Sequence, residues 1–335
     1  MITVRNNNNA NEKAYTWIDA RNVNRDDITV LTEEYGISSE LLADILDQDE
    51  QSRIEKEDDY TALIVRVPLD DDDESPLKQN AVPLGIVLTQ DKVITVCQGD
   101  SVVLEDFARS RFRQFPVGTK EGFVLSILGR SAIVFIRILK FINRQKDLVE
   151  EQLHKSIMNY ELIQLLEIQK SLVYLTTSLT SNELLLEKLE KTPIFHLNND
   201  DERDFLDDVI TDNKQAIAMA SIYSDILTGT MDAFASVIGN NMNVIMKRLT
   251  IISLALMFPT FITGFFGMNV PLPWTTNPFA WIYLAVICAI VAICGAYLLS
   301  DRNNKRLIKA NIGEARLTRG RRNRRKKTSS RKKII

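Results

Sequence analysis

Hydrophobic and polar positions change their spacing twice along this 335-residue chain. Up to about residue 130 short apolar runs alternate with polar ones. Tyr60–Leu69 (YTALIVRVPL) and Leu84–Val96 (LGIVLTQDKVITV) are rich in β-branched residues and read as strands, the second splitting at a tight turn around Gln90-Asp91. Ser38–Gln48 and Leu104–Arg113 read as helices, so this part is expected to be a sheet covered by helices. Ser131–Lys191 then holds no Pro and no Gly and predicts one long helix, broken at Thr192-Pro193-Ile194. A second stretch starts near Asp200 and meets no Pro until Pro259. Sixty helical residues would extend about 90 Å at 1.5 Å each, so the segment predicts a stalk rather than an ordinary globular helix.

From Leu249 to Ser300 there is no Asp, Glu, Lys, Arg or His. The run divides into Leu249–Phe266, a loop from Gly267 to Asn277, and Pro278–Leu299, each flank long enough to cross about 30 Å of hydrocarbon as a helix. In hydrocarbon every backbone N–H and C=O needs an internal partner, which selects helices. Lys247 and Arg248 precede the first segment, and Arg302, Lys305, Arg306 and Lys309 follow the second. Basic flanks stay cytoplasmic, so both termini are expected inside and the short loop outside. Trp274, Trp281 and Tyr283 fall near the outer end, where amphipathic rings prefer the interface. A buried hairpin of a soluble core would rarely be uncharged for so long.

Steps of four and three along the stalk pick out Asp225, Gly229, Asp232, Ser236, Gly239, Asn243 and Met246, then Thr250, Ser253, Met257, Thr260, Gly264 and Gly267. Such steps lay one residue set on a continuous seam. An ordinary coiled coil would fill it with Leu, Ile or Val, whereas this one is small or polar apart from Met246 and Met257. Close small-residue packing in lipid also favours Gly, Ser and Thr. Continuation of the seam through Asn243 and two aspartates into water suits a wet lumen better. Two membrane helices cannot enclose a lumen, so a pore requires several copies around an axis.

Charge and composition narrow the function. The net charge of −3 hides an asymmetry: residues 301–335 carry 15 Lys and Arg against two acids, a net of +13, leaving −16 on the remainder. A basic tail directly after a membrane helix enforces orientation and attracts anionic lipid, a better reading than nucleic-acid binding. It lacks apolar periodicity and is expected to be disordered. Met1–Arg25 has no apolar segment of the secretory type, so the N-terminal part is expected in the cytoplasm. Cys97, Cys288 and Cys294 form no zinc spacing or disulfide framework, and His154 and His196 are isolated. No phosphate-binding loop, nucleophile elbow or catalytic constellation is present, and an enzyme is not expected.

The segment Asn243-Val-Ile-Met-Lys-Arg-Leu-Thr250, then Thr260-Phe-Ile-Thr-Gly264 and Phe266-Gly-Met-Asn269 at the turn of a C-terminal hairpin, resembles the CorA family of divalent-cation channels. The resemblance implies an α+β membrane protein: a cytoplasmic α/β domain (1–130), a long helical stalk (131–248) running into the first of two transmembrane helices (249–300), and the basic tail (301–335). It also implies a homopentamer in the cell membrane, with first helices lining the channel and second helices outside. Mg²⁺ gives up its water reluctantly, so neutral oxygens can recognise the hydrated ion. A ring of Asn269 amides would serve as selectivity filter, with Gly267 permitting the turn and Met268 packing to fix it. Asn243, Thr250, Ser253, Thr260 and Gly264 would line the pore. Met246, Leu249 and Met257 are candidates for an apolar constriction that gates by dewetting.

Two features depart from the commoner family pattern. Phe266 stands where Tyr is frequent, and the loop Val270–Asn277 has no acid after Gly-Met-Asn. Mg²⁺ is the first expectation for both transported and regulatory ion, without an organic cofactor; Zn²⁺, Co²⁺ and Ni²⁺ transport, or a membrane-anchored coiled-coil scaffold, are the alternatives. Acidic runs read first as solvated charge and as a favourable helix N-terminus. In related channels, however, carboxylates at corresponding places bind cytoplasmic Mg²⁺ between subunits. That carries a regulatory site onto Asp208, with a partner among Asp70, Asp71, Asp72 and Asp73 whose register the run leaves open.

Overall fold

In the computed structural model the described residues are 2–6, 15–69, 81–109, 118–155, 159–191, 200–268, 279, 281–283 and 285–294. Six strands form one sheet: β1 (Ile2–Asn6), β2 (Thr16–Arg21), β3 (Arg53–Lys56), β4 (Thr61–Pro68), β5 (Ala81–Leu88) and β6 (Lys92–Cys97). Their order is β1-β2-β6-β5-β4-β3. Only β2 and β6 pair in parallel, with Ile18 opposite Ile94; the other neighbours are antiparallel. The strands expected over Tyr60–Leu69 and Leu84–Val96 are β4, β5 and β6, and the β5–β6 turn encloses Gln90-Asp91.

Side-chain alternation puts two apolar sets on opposite faces of this sheet. Ile18, Ala20, Ala62, Ile64, Val87, Ile94 and Val96 face α1 (Arg25–Glu33) and α2 (Ser39–Leu46), meeting Leu31, Leu41, Leu42 and Ile45. Trp17, Leu63, Val65, Leu84, Ile86 and Val93 face the opposite way. Their partners are α3 (Val102–Ala108), α4 (Lys120–Lys155), α5 (Asn159–Lys191) and the start of α6 (Asp200–Phe266). The central strands are buried on both sides, which is why they read as nearly continuous apolar runs. Gly85 of β5 lies against α2 so closely that a Cβ there would sit 2.3 Å from Ile45 Cδ1.

Helix starts follow local capping chemistry. The Asn24 side chain accepts from Asp27 N while Asp27 accepts from Asn24 N, a reciprocal box that opens α1. Ser38 accepts from Leu41 N at 3.2 Å to open α2. The helix expected from Ser131 begins earlier, at Lys120, because the Thr119 hydroxyl accepts from Gly122 N at 2.9 Å. Nor does it run unbroken to Lys191: α4 and α5 are separate helices that pack on each other. Both press apolar faces onto the sheet (Phe123, Leu125 and Leu128 from α4; Leu185, Leu186 and Leu189 from α5). An uninterrupted helix could bring only one of these faces to it.

Asn182 on α5 clamps the backbone of β4. Its Oδ1 accepts from Arg66 N at 2.9 Å and from Ser52 Oγ at 2.7 Å, while Nδ2 donates to Arg66 O at 2.8 Å. Buried polar groups left unpaired cost about 1–3 kcal/mol each. Asn182→Ala is expected to lower the urea-unfolding stability of the α/β unit by about 2–3 kcal/mol, and an unchanged midpoint and slope would contradict the clamp. Cys97 is fully buried, and burial pushes its thiol up to about 11. The thiol therefore stays protonated and unreactive near neutral pH.

The fold divides into two compact units, Met1–Ala233 and Phe234–Ile335, and α6 belongs to both. As expected from the absence of Pro between Asp200 and Pro259, α6 is one helix of 67 residues, with Pro259 inside it.

Candidate pore helix and metal sites

α4 and α6 both have the length and apolar composition to cross a membrane. The apolar window of α4 is mostly buried in the domain, whereas none of the α6 window is buried. α4 is therefore a core helix, whereas the distal part of α6 is mostly exposed among the described residues, with only the face of Ile251, Leu254, Ala255, Pro259, Ile262 and Phe266 half-buried. Leu256 is 66% exposed, Met257 67% and Phe261 72%. So many exposed apolar side chains on one helix require a lipid or protein environment. An apolar helix, Trp281–Cys294, follows, with residue 284 outside the described set.

Every seam position from Asp225 to Gly267 is exposed, as are Leu249 and Met268 beside it. Exposure alone does not separate the seam from the rest of this helix, since Ile252 and Phe258 are exposed too. The glycines are more telling. A Cβ added at Gly229, Gly239 or Gly264 would meet nothing within 4 Å. Among the described residues nothing demands small residues there.

The seam hydroxyls are oriented by their own helix. Thr250 Oγ1 donates to Met246 O and Thr260 Oγ1 to Leu256 O, both at 2.8 Å. Each proton is thereby used, and the hydroxyl oxygens remain as neutral acceptors, suited to the water shell of a cation. Pro259 has no N–H to continue the ladder. Thr263 Oγ1 donates nearby, to Pro259 O at 3.0 Å and Thr260 O at 3.1 Å. Gly267 N closes the last turn on Thr263 O at 2.9 Å, and Met268 N reaches Phe265 O at 3.4 Å. Asn269 lies outside the described residues.

In the first turns of α6, Leu206 and Val209 are buried against the sheet while Asp204, Asp207 and Asp208 are exposed. Asp208 makes no hydrogen bond or ion pair to the described residues. Glu202, by contrast, is buried and accepts from Thr119 Oγ1, joining the start of α6 to that of α4. Among the described residues no three His, Cys, Asp or Glu side chains gather as a ligand set. Asp70, Asp71, Asp72 and Asp73 lie outside them, as does the basic tail. The Asn182 clamp and the basic face of α4 have no signature in the sequence, because an isolated Asn and a solvated basic face have no distinctive spacing.

A sheet domain whose long helix α6 continues unbroken into a largely exposed apolar segment, with Gly267 and Met268 just beyond it, has by length and composition the makings of a membrane protein. The family described as CorA-like Mg²⁺ transporter protein matches residues 12–306, and the chain belongs to that family. The cobalt/magnesium transport protein CorA of Methanocaldococcus jannaschii is 29% identical over 291 residues, covering 83% of this chain and 87% of the relative. The protein of the same name from Thermotoga maritima is 24% identical over 258 residues, covering 76% and 73%. The complete structure of the CorA magnesium transporter from M. jannaschii superposes with a TM-score of 0.73 at 25% identity, over 85% of this chain and 89% of that one.

Proposed function

We propose that the chain is a homo-oligomeric divalent-cation channel of the membrane, with Mg²⁺ as its principal ion. The observation that carries this reading is α6: one helix joins the α/β domain to a largely exposed apolar segment bearing a small, polar seam, with Gly267 and Met268 just beyond its end. Copies arranged around an axis, five by family resemblance, would turn Asn243, Thr250, Ser253, Thr260 and Gly264 inward. The open space beside Gly229, Gly239 and Gly264 is then where neighbouring helices or water would lie. Asn269 amides would form the filter at the outer mouth, and Met246, Leu249 and Met257 the apolar constriction.

Both termini are assigned to the cytoplasm on the strength of the basic flanks, with the tail lying against anionic headgroups. Cytoplasmic Mg²⁺ would hold the closed state through Asp208 and the Asp70–Asp73 run of an adjacent subunit. Asp208 fits such a role because its carboxylate is exposed and pairs with no described residue. No ligand set within one chain rivals it among the described residues. Loss of internal Mg²⁺ would shift the population toward open channels, because the two states differ in affinity for the metal. Co²⁺ is the second ion favoured, since the names of both curated relatives carry cobalt beside magnesium.

Single cysteines test the pore helix. In a background free of Cys97, Cys288 and Cys294, cysteines at Thr250, Ser253, Met257 and Thr260 are expected to react with small water-soluble thiol reagents in the open state. Ile251 and Ile262, half a turn away, are expected to resist. Equal labelling of both faces would assign the lumen to another helix. Cys97→Ala is the suitable replacement, since serine would bury a hydroxyl where the thiol is fully enclosed.

A further inference from the structure

A cleft of about 440 Å³ lies between the end of β4, the start of α3 and the outer face of α4. Its floor is apolar: Leu69, Val102, Val134, Ile138 and Phe141. Its rim is basic, with Arg137, Lys140 and Arg144 at i, i+3 and i+7 on one helical face. The wall is fixed, because Ser101 Oγ, buried at the head of α3, donates to Pro68 O at 2.9 Å.

Among the described residues the three rim cations have no hydrogen bond or ion pair. Other basic residues of this unit do: Arg21 pairs with Asp19, Arg130 with Asp106, and Arg53 with Asp44, Glu50 and Glu55. Lys120 donates to Thr89 O and Gln90 O. Like charges one turn apart on a helix repel, so Arg137, Lys140 and Arg144 together hold an unsatisfied demand for anionic charge. Arg forks match phosphate oxygens, and the apolar floor between them would cover a non-polar group. The volume lies within the range of small-molecule sites.

We propose that this cleft binds a phosphate-bearing anion with an apolar portion. Phosphate oxygens would lie on Arg137, Lys140 and Arg144, and the apolar part against Phe141 and Ile138. A nucleotide is the soluble source of that chemistry and an acidic phospholipid the membrane source. The inference does not depend on which ion the protein transports.

The test is isothermal titration calorimetry on the full chain in phosphatidylcholine nanodiscs, in chelator and without divalent metal. The probes are ATP, dihexanoyl phosphatidic acid below its micellar concentration, and inorganic tripolyphosphate. At least one of the first two is expected to bind, and which of them does so identifies the source. Arg137→Gln with Arg144→Gln is expected to weaken that binding at least tenfold. Phe141→Ala is expected to weaken it several-fold while leaving tripolyphosphate unchanged. Absence of binding by both amphipathic probes would overturn the proposal. So would binding indifferent to the Arg137 and Arg144 changes, which would belong to the basic tail. Binding that emerges only after Asp70–Asp73→Asn would assign the cleft to the chain's own acids and equally overturn it.

Discussion

Asn269→Ala is expected to abolish divalent-cation flux, lowering uptake by at least a hundredfold, while leaving the oligomer assembled. The substitution removes amide oxygens at the mouth of the proposed pore but little packed volume. α6 itself closes on Thr263 O through Gly267 N, before Asn269 is reached, so the helix does not depend on that side chain. Asn269→Asp separates charge from shape. Several close carboxylates would hold a divalent ion far more strongly than amides do, and slow release is expected to replace fast passage. Mg²⁺ uptake at the wild-type rate by assembled Asn269→Ala would remove Asn269 from the filter.

Neutralising Asp208 together with Asp70–Asp73 is expected to abolish metal-dependent closure without stopping conduction. Bound Mg²⁺ should restrict the α/β units, so the wild type is expected to become resistant to protease at millimolar metal, the scale of a weak, partly hydrated carboxylate site. The combined Asp→Asn variant should be cleaved equally with and without Mg²⁺ and still transport. The buried anchors Leu206 and Val209 flank Asp208 and hold that turn of α6 to the sheet, so replacing the exposed carboxylate should spare the fold. Unchanged Mg²⁺ protection in the variant would reduce both acidic groups to solvated charge.

The parts of this architecture that could be read from sequence are those where burial or hydrocarbon imposes a repeated demand. β4, β5 and β6 are buried on both faces, so their β-branched runs stood out. α6 was legible over its whole length because Pro is absent until Pro259. β1 (ITVRN) and β3 (RIEK) escaped notice because short, polar edge strands leave no apolar run. The start of α4 was hidden by Gly122 and Gly129, which lower helix propensity, yet Thr119 caps the helix and its neighbours are buried. The separation of α4 from α5 has no Pro or Gly to announce it; tertiary burial of two apolar faces decides it. Among candidate site residues, the proposed seam rests on heptad spacing, which a sequence displays directly. The basic rim of the α4 cleft could not, because its meaning depends on Leu69 and Val102 arriving from other elements.

Uptake into proteoliposomes is the most direct measurement of whether this chain conducts divalent cations. With purified full-length protein, an inward Mg²⁺ gradient and an internal Mg²⁺ indicator, the account predicts rapid entry that Asn269→Ala removes. In parallel runs it predicts that Co²⁺ enters by the same Asn269-dependent route. Proteoliposomes that take up Mg²⁺ no faster than protein-free vesicles, while holding the assembled oligomer, would contradict it.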